Sequence, residues 1–148
     1  IFCGGGTPRQ KFIQFITIAT KGDSQDFGNL TEKTSRASGL SNTTRGIIAG
    51  GFHDGSPASV TVNVIEFITI ATFGNATDFG DLTVARYQPG EGASATRGVV
   101  AGGVASPTRT NTIDFITIAT TGNASDFGDL STIRRTCGSS DVHGGLGD

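Results

Sequence analysis

The chain holds no tryptophan, no methionine and a single tyrosine, and only 16 % of its 148 residues are charged. Each shortage excludes something. Without Trp, and with Tyr87 alone among tyrosines, it lacks the flat amphipathic rings on which sugar sites are commonly built. The formal net charge is −2 and no basic stripe appears, which argues against a nucleic-acid partner. No apolar run nears the roughly 18 residues that cross a bilayer, so no membrane partner is expected. The two cysteines, Cys3 and Cys137, stand near opposite ends with no CxxC spacing, so neither a zinc knuckle nor a thioredoxin-like pair can be built. Two readings remain for them: a disulfide joining the chain ends, which suits an oxidising setting, or two free thiols. The chain opens Ile1-Phe2-Cys3 with no Met. It therefore reads as a processed product, a fragment or part of something longer, and its N-terminus says nothing of localisation.

What is present is repetition. FITIATFGNATDFGDL, from Phe67 to Leu82, returns as FITIATTGNASDFGDL from Phe115 to Leu130, with fourteen of sixteen positions identical. A more diverged copy, FITIATKGDSQDFGNL, runs from Phe15 to Leu30, so the copies start 52 and 48 residues apart. A unit of that size cannot bury its own apolar face and must pack on its neighbours. Repetition also weakens an enzymatic reading, because a catalytic constellation is rarely present three times in a small chain.

The unit reads as strands. In the third copy Gly92 to Thr96 is small and β-tolerant, and Arg97 to Ala101 is an apolar run stopped by Gly102-Gly103. Asn111 to Thr120 follows a polar loop, with Ile113, Phe115, Thr117 and Ala119 on one face and Asp114, Ile116, Ile118 and Thr120 on the other. Isoleucine on both faces predicts burial between layers. Thr121-Gly122-Asn123 reads as a turn with Gly and Asn at positive φ, and Asp126 to Leu130 as a last short strand. Four strands in about 50 residues is the layout of a propeller blade. Helical spacing never persists for three turns, which excludes helical and leucine-rich repeats.

No motif carries convincing catalysis. Asp-Phe-Gly occurs at Asp26, Asp78 and Asp126, but the phosphate loop, Lys and catalytic Asp of a kinase are missing. The oxygen-rich stretches Asn75 to Asp81 and Asn123 to Asp129 lack EF-hand spacing, and turn chemistry accounts for them. No metal, cofactor or catalytic residue is assigned. Sequons at Asn29, Asn42, Asn75 and Asn123 are N-glycosylation acceptors only in a source that uses that pathway. His53 and His143 sit alone in glycine-rich loops without a nucleophile pattern. Arg36, Arg45, Arg86, Arg97 and Arg134 recur at the joints between units, where pairing with carboxylates or carbonyls is expected.

The order of Arg, small strand, apolar strand ending in Gly-Gly, aromatic strand, turn, aromatic plus Leu, and Arg resembles a kelch repeat. Gly50-Gly51 with Phe67, and Gly102-Gly103 with Phe115, carry the likeness. Phe67 and Phe115 stand where kelch repeats have Tyr, and Phe79 and Phe127 where they have Trp. TRGVVAGG followed by FITIATTGNASDFGDL also resembles repeats of virion structural proteins of tailed phages, especially those of cyanobacteria. The resemblance implies an all-β array of kelch-like blades, about 1–36, 37–86 and 87–134, with 135–148 as a terminal strand completing a blade. Phe15, Phe67, Phe115, Phe27, Phe79 and Phe127 would pack the blades together. Three blades are too few for ordinary closure, so completion by self-association, as ring or filament, is expected.

Three functions follow: a non-enzymatic virion component such as a tail fibre or appendage, an extracellular filament subunit linked by strand exchange, and a glycan-binding propeller module. The expected partners are the chain itself and a host-surface glycan, the expected location a virion or the extracellular space. The loops after each Gly pair, TPRQK, FHDGSPASVTV and VASPTRT, vary most, and binding specificity would sit there.

Overall fold

The computed structural model describes residues 1–6, 8–54, 58–136 and 138. Fifteen strands and no helix occupy them: β1 (Phe2–Cys3), β2 (Gln10–Phe15), β3 (Gln25–Ser35), β4 (Ser38–Ser41), β5 (Arg45–Ala49), β6 (Phe52–His53), β7 (Val60–Thr61), β8 (Val64–Thr69), β9 (Thr77–Asp81), β10 (Gly90–Ala93), β11 (Arg97–Ala101), β12 (Val104–Ala105), β13 (Thr108–Arg109), β14 (Thr112–Thr117) and β15 (Ser125–Asp129). They form antiparallel sheets ordered β1-β2-β3-β6-β7, β4-β5-β8-β9 and β10-β11-β14-β15, with β12-β13 as a separate ribbon.

The second and third sheets are copies down to their irregularities. Arg45 faces Thr69 as Arg97 faces Thr117, and a bulge falls between Ile65 and Glu66 as it does between Ile113 and Asp114. A register shift between Ile13 and Gln14 occupies the same place in the first sheet. That sheet differs in one respect. The long β3 runs on to pair with β6, so the β6-β7 hairpin of the second repeat joins it.

Several strand limits correct the expectations above. β14 ends at Thr117, not Thr120, because the chain turns there, with Thr120 N–H bonded to the Thr117 carbonyl at 3.1 Å. Ile118 is fully buried outside the ladder, its N–H on the Thr96 carbonyl. The opening strand β10 starts two residues earlier than read. Asn123 does not adopt positive φ; among described non-glycine residues Arg36 and Gln88 do.

The apolar core lies between sheets. Ile13, Phe27, Leu30, Ile48, Ile68 and Ala76 fill one layer, and Ile47, Ile65, Phe79, Leu82, Val100, Ile116 and Ile118 belong to the other. Adjacent residues Ile47 and Ile48 of β5 point to opposite layers because strand side chains alternate, and both are buried. The middle sheet is thus apolar on both faces, as the doubled isoleucines imply.

The Gly pair ends its strand for a physical reason. Gly50 and Gly102 have φ of +66° and +63°, a region a side chain disfavours. A Cβ there would also press on the carbonyls of Arg86 and Arg134, and the next glycine donates its N–H to that same carbonyl. Gly5 bonds the Thr34 carbonyl in the same way. Each Gly pair therefore ties a strand to the segment leading into the next sheet.

Candidate functional site

The most repeated residues form a contact between units. Gly74 and Ala76 donate their N–H groups to the carbonyls of Phe27 and Asn29, while Asn75 Oδ1 accepts the Asn29 N–H at 3.0 Å. Gly122, Asn123 and Ala124 repeat this on Phe79 and Asp81, with Asn123 Oδ1 accepting the Asp81 N–H at 3.0 Å. Gly28 and Gly80 have no Cβ because one would collide with the carbonyls of Gly74 and Gly122. Asp-Phe-Gly is thus the acceptor half of a backbone staple: its Phe is buried at Phe27 and Phe79, and its Gly admits the neighbouring turn.

A buried ion pair reinforces the second junction. Arg86 and Asp114 are 0 % and 1 % exposed and pair directly. Arg86 Nη1 also donates to the Thr112 carbonyl at 2.7 Å, and Asp114 accepts the Thr83 N–H and hydroxyl. Every polar atom of the pair that could be stranded has a partner, which offsets the cost of removing two charges from water. At the first junction Glu66 accepts the Thr31 N–H at 2.8 Å, and Thr34 stands where Arg86 stands later. Arg45 and Arg97 lie over Phe67 and Phe115 at 4.5 and 5.4 Å, and Arg45 donates to the Ile118 carbonyl.

A second cluster collects at the loops after the Gly pairs. Phe52 and Tyr87 stack with centroids 4.3 Å apart, and Arg36 lies over both rings at 5.6 and 5.7 Å. Arg9 also lies over Phe52, at 5.6 Å. It donates to Ser35 Oγ and pairs with Asp54. Arg9 and Phe52 come from the variable loops after the first two Gly pairs, Arg36 and Tyr87 from the joints between units. Beside the rings, Arg9 and Arg36 line a cleft of about 520 Å³ with Gly5, Pro8, Ser35 and Asp54. Loop variability singled out the segments that carry Arg9 and Phe52, but not their meeting with Arg36 and Tyr87, because Phe52 and Tyr87 are 35 residues apart and meet only when adjacent sheets pack.

No family model and no curated protein matches the chain. A solved structure, that of YjhT, is similar over 74 % of this chain at 8 % identity with a TM-score of 0.58. The likeness is one of fold alone, and it spans 41 % of the YjhT chain.

The remaining predicted residues fall as follows. Phe15, Phe67 and Phe115 are half-buried and meet Phe27, Phe79 and Phe127 edge-on at 6.0–6.3 Å. Phe127, unlike its counterparts, is 59 % exposed, because no further unit follows it in the described chain. Asn42 is buried: its Nδ2 donates to the Ala95 carbonyl and its Oδ1 accepts the N–H groups of Thr44 and Arg45. Asn29, Asn75 and Asn123 belong to the staples. Cys3 lies on exposed β1 as a free thiol, while Cys137, its proposed disulfide partner, lies outside the described residues, as do His143 and most of 135–148. Although Cys3 is exposed overall, its thiol borders an apolar cleft with Ile47, Ile48 and Ile68. Burial there, and then the Glu66 charge, push its pKa up. His53 is part of β6, opposite Val60.

Proposed function

We propose that the chain is a non-enzymatic structural module, a run of kelch-like propeller blades that is a component of a virion tail fibre or appendage. The observation that carries this reading is the use of the most repeated residues: at both internal junctions Asp-Phe-Gly meets Gly-Asn-Ala of the next unit, and Arg45 and Arg86 bond across units as well. Residues spent on joining units are not available for turnover. The resemblance to phage virion repeats supplies the setting.

Receptor binding would sit on the loop cluster of Arg9, Arg36, Phe52 and Tyr87. Stacked rings flanked by guanidinium groups suit a sugar ring bearing a carboxylate, since the rings take its apolar face and an Arg its charge. A glycan array tests this directly: binding to acidic glycans that Tyr87→Ala and Arg36→Ala abolish supports it, and silence across the array leaves a purely structural role. Electron microscopy of the protein in its natural source tests the setting, where heads and tails mean a virion.

A second reading, an extracellular filament subunit, is favoured by the exposed apolar side chains at both ends of the array, Ile18 at 95 % and Phe127 at 59 %. Headless fibres in the same micrographs would establish it.

A further inference from the structure

The two internal junctions are the same contact made twice, and the outermost sheets present its two unused halves. On the third sheet Phe127 is 59 % exposed where Phe27 and Phe79 are 4 % and 3 %. Leu130 is half-buried where Leu30 and Leu82 are buried, and a Cβ on Gly128 would meet nothing within 4 Å, whereas Gly28 and Gly80 admit no Cβ. Among the described residues the Arg134 side chain donates to Ser131 Oγ at 3.4 Å, where Arg86 binds a buried carboxylate.

The first sheet shows the complement. Ile16 and Ile18 are 41 % and 95 % exposed, whereas Ile68 and Ile116 are at most 4 % and Ile118 is 0 %. Gln14, at the place of buried Glu66 and Asp114, is exposed. In the turn Gly22-Asp23-Ser24 the third residue, Ser24, is exposed where Ala76 is buried and Ala124 half-buried, while the first two positions are exposed in all three copies.

We infer that the third sheet of one copy binds the first sheet of a second copy, head to tail, through the Gly22–Ser24 turn docked on Phe127–Asp129. This rests on the self-assembling module proposed above and names its contact. Gly22 N–H and Ser24 N–H bond the carbonyls of Phe127 and Asp129, and Asp23 Oδ1 accepts the Asp129 N–H. The turn needs only an acceptor oxygen there, so Asp serves in place of Asn. Gln14 Oε1 takes the place of the Glu66 and Asp114 carboxylates, accepting from Ser131 N–H and from Arg134. Ile16 and Ile18 cover Phe127 and Leu130. The two surfaces differ, so the contact is heterologous and adds copies in one direction, ending in a ring or a filament.

The sequence also records a defect in this junction. Asp23 would lie beside Asp129, whereas the internal junctions pair Asn75 with Asn29 and Asn123 with Asp81. The junction between copies therefore carries a like-charge pair that the internal junctions avoid, and it is the weaker one.

Sedimentation of the 148-residue chain with two blocking variants tests the contact. Ser24→Arg places a long cation where Ala76 is 7 % exposed, and Phe127→Arg does so on the opposite face. Both sites are exposed in the single chain, where Ser24 gives one hydrogen bond to Gln14 and Phe127 one ring contact to Phe115, so each variant should keep the wild-type β spectrum with a small fall in unfolding midpoint. Wild type should associate with rising concentration, and each variant alone should stay monomeric. Their equimolar mixture should give a one-to-one dimer, because each variant keeps one intact face. Asp23→Asn should lower the concentration for association about two- to fivefold, the scale of one exposed charge interaction. Wild-type association unaffected by either block would overturn this contact while leaving self-assembly standing. A wild type monomeric into the millimolar range would overturn both.

Discussion

At the scale of single residues, the buried pair Arg86–Asp114 is the most sensitive point. With both side chains at 0–1 % exposure, removing one strands the other. Arg86→Met should destabilise by about 3–5 kcal/mol, and Arg86→Met with Asp114→Leu should recover most of the loss. Urea unfolding of the two variants measures this. Glu91 gives a pH signature, since burial raises its carboxyl pKa. A raised folded-state value means that the group's contribution to stability is complete below the unfolded carboxylate range and is lost as pH rises through the folded value. Glu91→Gln should therefore be the more stable protein at neutral pH, with the advantage fading in acid; thermal unfolding across pH 3–8 shows either trend. Asn42 should carry no glycan even when expressed in a glycosylating host. Its Nδ2 is bonded to Ala95 in a buried site, and an intact-mass comparison with Asn42→Gln would find no lost sugar.

At the scale of elements, the last strand of each sheet is one sequence in three environments. Gly80→Ala meets both a positive φ and the Gly122 carbonyl, whereas Gly128→Ala, at φ 134°, meets only the backbone strain. The first should cost clearly more than the second in the monomer, and their difference in denaturant midpoint isolates the staple. Likewise Phe79→Ala should cost about 3–5 kcal/mol, the range for emptying a packed aromatic site. Phe127→Ala should cost much less. The strand type was legible from β-branched and aromatic alternation, and so was the Gly pair as a stop. The end of β14 at Thr117 was not: Ile118 continues the apolar alternation in sequence, but its N–H is claimed by Thr96, a bond that no local pattern announces.

At the scale of the whole molecule, stability is distributed along the array. The middle sheet is packed on both faces and each outer sheet on one. In such an array local opening follows the number of neighbours. Hydrogen exchange should be slowest in β5 and β8 and fastest in β1 and β15, and uniform protection would mean that the units open as one.

A β-repeat with buried strands, glycine-ended turns and repeated arginines can be read from the residues alone, because periodicity and turn chemistry are local. The sequence held the residues of the loop cluster without revealing that Arg9, Arg36, Phe52 and Tyr87 meet. What the repeated residues do depends on how the sheets pack. Asn75 and Asn123 read as turn formers, sequon acceptors or oxygen ligands until the neighbouring sheet is in place, and then each proves to accept one backbone N–H of the preceding unit. The partner in that bond lies more than forty residues away, and only the packing of one sheet on the next brings the two together.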